Sequence, residues 1–520
     1  MTASDAILPP PPTLEYYNAA HDFIERNRTA RPNKVAYIDE HGSCTFAELA
    51  ERIDRSAGAL TGLGLTQETR VMVCLLDTID FPSVFLGAIK AGLIPIAVNT
   101  LLTSADFDFM LQDSRARALI VSDVLLPAFA PILDRQPFLK HVIVSGRKAS
   151  AHPLLANLMD QAASHFRAAP TRPDDACFWL YSSGSTGTPK GVVHLQTSMM
   201  RTAELYGQAV LGIREDDVVF SAAKLFFAYG LGNALSFPLS VGATTVLLSD
   251  RPTPAAVCRI LREHRPTIFY GVPTLYSALL ATQELPKRDE LKLRRCVSAG
   301  EALPADVGRR WSEHTRVDIL DGLGSTELLH IFLSNRPDDN RYGTSGKPVP
   351  GYEIRLMGEN GAPVAKGELG ELQVSGPTSA AYYWNNREKS RSTFLGAWTK
   401  SGDKYVEGND GYFTYSGRDD DMLKVSGIWV SPFEVESALA SHAAVQETAV
   451  VGQADENGLV KPKAFVVLRA NATAGPDLAA ALQQHVKGLL APYKYPRWIE
   501  FVADLPKTAT GKIQRFKLRG

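Results

Sequence analysis

The run Tyr181-Ser-Ser-Gly-Ser-Thr-Gly-Thr-Pro-Lys-Gly191 gathers glycines, hydroxyls and an ammonium group directly after the strand-like Ala176 to Leu180. Backbone N–H groups at Gly184, Gly187 and Gly191 can approach an anion closely because no Cβ intervenes. The hydroxyls of Ser182, Ser183, Ser185 and Thr186 add donors, and Lys190 adds positive charge. Such a set suits the holding of phosphate. It is not a Walker A loop, since Pro189 stands where a glycine is needed, and the glycines lack dinucleotide-fingerprint spacing. Four further strings carry charged residues among glycines: Gly322-Leu-Gly-Ser-Thr-Glu327, Trp398-Thr-Lys-Ser-Gly-Asp403, Gly417-Arg-Asp-Asp-Asp-Met-Leu-Lys424 and Pro506-Lys-Thr-Ala-Thr-Gly-Lys512. Taken singly, Glu327 also reads as a cap or surface pair, Asp403 as a turn residue, and Arg418 and Lys512 as solvated charges.

Positioning these strings takes alternating elements. Phe46 to Leu63 repeats apolar residues at Leu49, Ile53, Ala57 and Leu60, the period of a helix with one buried face, and the apolar run Arg70 to Leu76 has strand length. Phe81 to Ala91 predicts a helix and Gly92 to Val98 a strand. The theme returns at Ala118 to Val121, His141 to Val144, Thr244 to Leu248 and Thr267 to Tyr270. Strands alternating with helices imply α/β layers with parallel sheets, because a parallel connection needs a crossover. After about residue 340, Gly343, Gly346, Pro348, Pro350 and Gly351 begin a punctuated stretch with strands at Tyr352 to Met357 and Glu371 to Ser375, which predicts a β-rich subdomain. Beyond Arg418 to Asp421 come a helix near Pro432 to Ala440, strands near Thr448 to Gly452 and Ala464 to Leu468, and a helix near Asp477 to Leu490. The expected division is a large N-terminal domain over 1–417, a hinge at 418–422, and a small, mobile α+β C-terminal domain over 423–520.

At 520 residues with 45% apolar content, the chain can bury several cores and is not disordered. Lys plus Arg (55) against Asp plus Glu (56) leaves a net charge of -1, without general attraction for a polyanion, so nucleic acid is not an expected partner. Cys44, Cys74, Cys177, Cys258 and Cys296 form no C-x-x-C pair, which speaks for a reducing compartment and against structural zinc. No apolar run is long enough to span a bilayer. The start of the chain, with Asp5 and Pro9 to Pro12, lacks a signal-peptide pattern, so a cytoplasmic protein off the membrane is expected.

In their order along the chain, the strings resemble the signature motifs of the AMP-forming acyl-CoA synthetase superfamily, whose members activate carboxylic acids as adenylates. The likeness covers 181 to 512: the phosphate loop, the second core motif at Gly322 to Glu327, the ribose motif ending at Asp403, the hinge from Gly417 and the C-terminal lysine motif ending at Lys512. It implies ATP, Mg2+ and coenzyme A as cofactors. A carboxylate acylates poorly because its carbonyl is anionic and its leaving group would be oxide; joining it to AMP supplies a phosphate leaving group. On this likeness Lys512 stabilises charge shifting on the phosphates, Thr186 and its loop grip the β- and γ-phosphates, Thr326 reaches the α-phosphate and Glu327 holds Mg2+. Ala299, Gly300 and Glu301, with Asp321, Gly322 and Leu323, would flank adenine; Asp403 and Arg418 would take the ribose. Lys512 must cross from the small domain to the large one, so the likeness implies closure about Asp420. A later rotation would present Lys424, Ser426, Gly427 and Trp429 to the pantetheine arm of coenzyme A.

Lys224-Leu-Phe-Phe-Ala-Tyr-Gly-Leu-Gly-Asn233 resembles the acid-pocket segment of aryl-CoA ligases, benzoate–CoA ligases above all. It implies a flat apolar slot for a compact aromatic acid, lined by Ala228, Tyr229, Gly324, His330 and Ile331 and floored by Gly300. His330 is expected either to position the substrate carboxylate or to be hydrogen-bonded structure, and Phe226, Phe227 and Tyr229 either to line the slot or to fill core. Leu323 replaces the tyrosine usual in the superfamily, which removes one expected aromatic stack. A medium-chain fatty acyl-CoA ligase and an adenylation enzyme loading a separate carrier protein are the alternatives. Acetylation of Lys512 would neutralise its charge, so a lysine acetyltransferase and deacetylase are candidate partners; a homodimer is the prior for assembly.

Overall fold

The computed structural model describes residues 16–148, 150–182, 189–418, 421–425, 428–456, 459–470, 472–507 and 513–519. One sheet of seven strands runs in the order Tyr382–Tyr383, Lys190–Leu195, Ala176–Ser182, Ile94–Ala97, Arg70–Cys74, Ala118–Ser122, His141–Ser145. From Ala176–Ser182 onward the strands are parallel. Alternation within Arg70–Cys74 shows how both faces are filled. Val71 and Val73 join a core with the helices Phe46–Gly62 and Asp80–Lys90, whereas Met72 and Cys74 join the core with Phe107, Met110 and Leu111 on the helix Ser104–Ser114. Thr45 starts Phe46–Gly62 with a reciprocal capping box to Glu48, close to where periodicity places that helix.

A second sheet of nine strands runs Lys347–Pro348, Ile331–Ser334, Ile319–Gly324, Arg295–Ala299, Ile268–Gly271, Val218–Ser221, Thr244–Val246, Val35–Asp39, Gly42–Thr45. Its strands from Ile319–Gly324 through Val35–Asp39 are parallel. The edges of both sheets depart from the all-parallel expectation. Lys190–Leu195 returns antiparallel to Ala176–Ser182, because the connection between Ser182 and Lys190 is too short for a crossover. Predicted strands also overrun the ladder. Val98, Leu247 and Leu248 are buried but lie past the strands; Val98 and Leu247 still donate to the Val73 and Ile38 carbonyls, whereas Leu248 is buried beyond the ladder, so an apolar run reports burial and does not mark where pairing stops.

The stretch after residue 340 contributes Glu353–Met357, Leu369–Ser375 and Trp398–Glu407 in antiparallel order, with Phe394–Leu395 and Phe413–Arg418 also paired to Trp398–Glu407. Past it, Leu423–Val425 and Ile428–Val430 form a ribbon, and Val445–Ala454, Val460–Leu468 and Trp498–Phe501 a three-stranded sheet. The helices Pro432–Ala440 and Pro476–Leu489 share a core with that sheet through Val435, Leu439, Leu482 and Val486. The parallel strands end at Ser182, Ser221, Gly271, Ala299 and, before an antiparallel return, Gly324. Ligands of open α/β sheets bind outside such carboxyl ends, because side chains there project beyond the ladder.

Candidate active site

Ser182 ends its strand and donates its hydroxyl to Glu327 Oε1 at 3.3 Å, joining the seven-stranded sheet to the segment that leaves the nine-stranded one. Tyr383 donates to the same oxygen at 2.8 Å. Lys190 Nζ lies 5.0 Å from the Tyr383 ring centroid. Partial burial pulls the Lys190 ammonium below its ordinary pKa, the Glu327 carboxylate opposes this, and Lys389 and Arg418 add like-charge repulsion. Cations gathered around one carboxylate at a sheet end suit a polyphosphate ligand. Ser183, Gly184, Ser185, Thr186 and Gly187 lie outside the described residues. The Thr326 carbonyl accepts His194 Nε2–H at 2.8 Å, and burial pushes the imidazole down to about 4, so the contact is that of a neutral ring.

Register brings the two segments expected to flank adenine side by side, with Ser298 opposite Asp321 and Ala299 opposite Gly322. Gly300 follows at φ +98°, a conformation that favours glycine. The Asp321 carboxyl group is buried and accepts Leu303 N–H at 3.4 Å; its Oδ1 has no hydrogen-bond partner among the described residues. Burial raises its pKa well above the carboxylate range. Leu323 packs against the neighbouring core of mixed aliphatic and aromatic side chains. Asp403 and Arg418 oppose each other in the Trp398–Glu407 and Phe413–Arg418 pair, and the Arg418 guanidinium lies over Gly402.

Lys512 lies outside the described residues, but its neighbours reach the large unit. Ile513 donates its N–H to Glu301 Oε1 at 3.3 Å, and Ile513 bridges Lys507. Arg515 then forks onto Glu436 at 2.7 and 3.1 Å and lies 3.9 Å from Asp421, while Tyr415 and Phe433 pack edge to face at 5.4 Å across the expected hinge. Asp420, Ser426 and Gly427 are outside the described residues; Lys424 and Trp429 are register partners in the ribbon.

On the acid side, Ala228–Leu231 continues through a π-helical turn, Gly232–Ser236, into Phe237–Val241. The His330 ring lies 4.5 Å from Phe237, 5.4 Å from Tyr206 and 5.5 Å from Tyr229. Gly232 admits the ring, since a Cβ there would lie 2.7 Å from His330 Nε2. Gly324 packs on the His330 backbone, and Ile331 Cγ2 fills the space where a Cβ on Gly322 would stand. His330 Nε2 contacts the Tyr229 carbonyl at 3.2 Å and Asn233 Oδ1 at 3.1 Å; a carbonyl only accepts, so Nε2 carries the proton. Burial pushes the ring down to about 3, leaving it neutral. With its N–H engaged and Nδ1 without a partner among the described residues, His330 has no free donor for a carboxylate and takes the hydrogen-bonded structural role, the second of the two expected. Phe226 is buried core, whereas Tyr229 is partly buried and tied to the sheet, donating to the carbonyls of Val297 at 3.2 Å and Gly271 at 3.3 Å.

Residues 24–384 match the AMP-binding enzyme family, and 434–512 match the AMP-binding enzyme C-terminal domain. The chain belongs to the AMP-binding enzyme family. This family member is 63% identical over 515 residues to the benzoate–CoA ligase of Thauera aromatica, across 98% of this chain and 97% of that relative. Its fold is similar to that of a benzoate CoA ligase from Burkholderia xenovorans LB400 (TM-score 0.92, 53% identity, 97% and 100% of the two chains). It is also similar to the anthranilate CoA ligase AuaEII solved with anthranoyl-AMP (TM-score 0.94, 45% identity, 97% of each chain). Among the described residues no helix is long and apolar enough to cross a membrane.

Three contributors escaped the sequence reading. Tyr383 sits in an aromatic run, Ala-Ala-Tyr-Tyr-Trp384, where nothing separates an orienting phenol from a packing one. Asn233 closes the acid-pocket segment, but its link to His330 needs the fold. Asp77, buried beneath that segment, belongs to a loop with no motif at all.

Proposed function

We infer that this AMP-binding enzyme is an ATP-dependent ligase that converts an aromatic acid, benzoate or a close analogue, to its coenzyme A thioester with release of AMP and pyrophosphate. A carboxylate oxygen attacks the α-phosphorus of ATP, and the bond to the β-phosphate breaks to give acyl-adenylate and pyrophosphate. The coenzyme A thiolate then attacks the acyl carbon and AMP leaves. Lys190, Ser182 and the loop through Thr186 bind the phosphates, Asp403 and Arg418 the ribose, and the Ala299–Glu301 and Asp321–Leu323 segments the base. Glu327 offers a hard oxygen donor beside the phosphate loop and fits Mg2+, which supplies charge neutralisation to the phosphates when bound.

The observation that supports this reading best is the hydrogen bond from Ile513 N–H to Glu301 Oε1, because adenylation by a lysine next to Ile513 requires the C-terminal segment to reach the large unit. The division into 1–417, a hinge at 418–422 and a lid over 423–520 belongs to the same proposal. Buried, unpaired cysteines favour a cytoplasmic location. A homodimer and reversible acetylation of Lys512 complete the proposal, and native mass spectrometry and acetyl-lysine mapping test them. An acid panel with ATP, Mg2+ and coenzyme A, read by AMP release, tests the substrate. Benzoate should outpace octanoate by at least about tenfold in kcat/KM, on the scale of discrimination by a shaped apolar pocket. Octanoate turnover equal to that of benzoate would reject the aromatic slot.

A further inference from the structure

The two oxygens of Glu327 differ. Oε1 accepts the Tyr383 hydroxyl at 2.8 Å and the Ser182 hydroxyl at 3.3 Å, whereas Oε2 accepts nothing among the described residues. The main chain of Glu327 is also fixed, its carbonyl accepting Ala380 N–H at 2.8 Å.

Tyr383 is held more firmly than a packing tyrosine needs to be. It is 3% exposed, its strand pairs Tyr383 with Val192, its N–H donates to Ser390 Oγ at 3.0 Å, and its ring lies 5.2 Å from Phe394. A hydroxyl so anchored cannot follow the carboxylate; the carboxylate must adopt the rotamer that meets it. Mg2+ is small and demands near-octahedral geometry with one oxygen per carboxylate, while larger cations such as Ca2+ accept both oxygens.

We propose that Tyr383 is a positioning residue that engages Glu327 Oε1, so that Oε2 alone is presented to the metal accompanying ATP. The proposal rests on the reading above that Glu327 holds Mg2+. It assigns to this chain a determinant of metal geometry outside the five motif strings.

The test compares wild type with Tyr383→Phe, Ser182→Ala and Glu327→Gln. Mn2+ affinity is measured by electron paramagnetic resonance with α,β-methylene-ATP, which binds without forming adenylate. Mg2+ and Ca2+ dependence are measured by benzoate-dependent pyrophosphate exchange. Loss of one hydrogen bond to a charged group predicts about a tenfold weaker Mn2+ affinity and a similar rise in half-saturating Mg2+ for Tyr383→Phe. The Ca2+ to Mg2+ activity ratio should rise and KM for benzoate should hold. Ser182→Ala should shift the same quantities less, and it reads the same oxygen should Tyr383→Phe not fold. Metal affinity within twofold of wild type in every folded member of this donor pair overturns the proposal. If Glu327→Gln also leaves metal affinity unchanged, the error lies in the assignment of Glu327 itself.

Discussion

Asp77 offers a stability test whose sign can be worked from the structure. Its side chain is 4% exposed beneath the acid-pocket segment and accepts Leu225 N–H at 3.3 and 3.4 Å through its two oxygens. Lys224 Nζ stands 4.0 Å away, donating to the carbonyls of Asp250 at 2.6 Å and Ser249 at 3.2 Å and also to that of Leu248. Burial pushes the Asp77 carboxyl group from 3.8 up to about 6, against the opposing pull of Lys224 and of Leu225 N–H. Asp250 and Glu40 are the other carboxylates acting on Lys224. A folded pKa above the unfolded one means that the unfolded chain releases this proton first as pH rises. Asp77 therefore subtracts stability progressively between about pH 4 and pH 6, and above that the loss is complete. At 1.36 kcal/mol per pKa unit, the rise from 3.8 to about 6 amounts to about 3 kcal/mol. Asp77→Asn keeps an acceptor for Leu225 and removes the charge. It should unfold in urea with up to about 3 kcal/mol more stability than wild type at pH 8, show no gain near pH 4, and retain KM for benzoate. A variant less stable than wild type at pH 8, or a difference that ignores pH, would show that the Lys224 pairing outweighs desolvation and refute the reasoning.

Gly232→Ala places a Cβ 2.7 Å from His330 Nε2 and 3.1 Å from Phe237 Cζ, in a ring cluster with nowhere to retreat. Steady-state kinetics should give at least a tenfold rise in benzoate KM with ATP KM unchanged, and the melting temperature should fall, on the scale of about 1–3 kcal/mol for overpacking. Lys512→Ala should lower adenylate formation, followed by pyrophosphate exchange, by roughly a hundredfold or more, the scale for losing one transition-state charge partner. Thioester formation from supplied benzoyl-AMP should suffer less, and equal loss in both half-reactions would count against two separate closures.

The α/β layering and most helix and strand centres were legible because burial imposes period on local sequence: Leu49, Ile53, Ala57 and Leu60 mark one helix, and alternation along Arg70–Cys74 fills two cores. The phosphate loop was legible for another reason, since backbone approach to an anion restricts which residues can stand at fixed offsets, whereas the ribose and hinge strings were legible only through their resemblance to family motifs. Antiparallel edge strands, and the true ends of strands whose apolar runs continue into buried loops, were not, since apolar content reports burial and says nothing of the partner.

Within the site the same line divides chemistry from geometry. Resemblance of the contiguous strings to family motifs pointed Glu327, Asp403, Arg418 and Lys512 to nucleotide chemistry, whereas residue type alone left each open to a structural reading. Tyr383 meets Glu327 across 56 residues of chain, Asn233 meets His330 across 97 and Asp77 meets Leu225 across 148. Hydrogen bonds of that span leave no periodic trace, so only the packed fold decides which oxygen of Glu327 is engaged, which nitrogen of His330 holds its proton, and which carboxylate bears a buried charge.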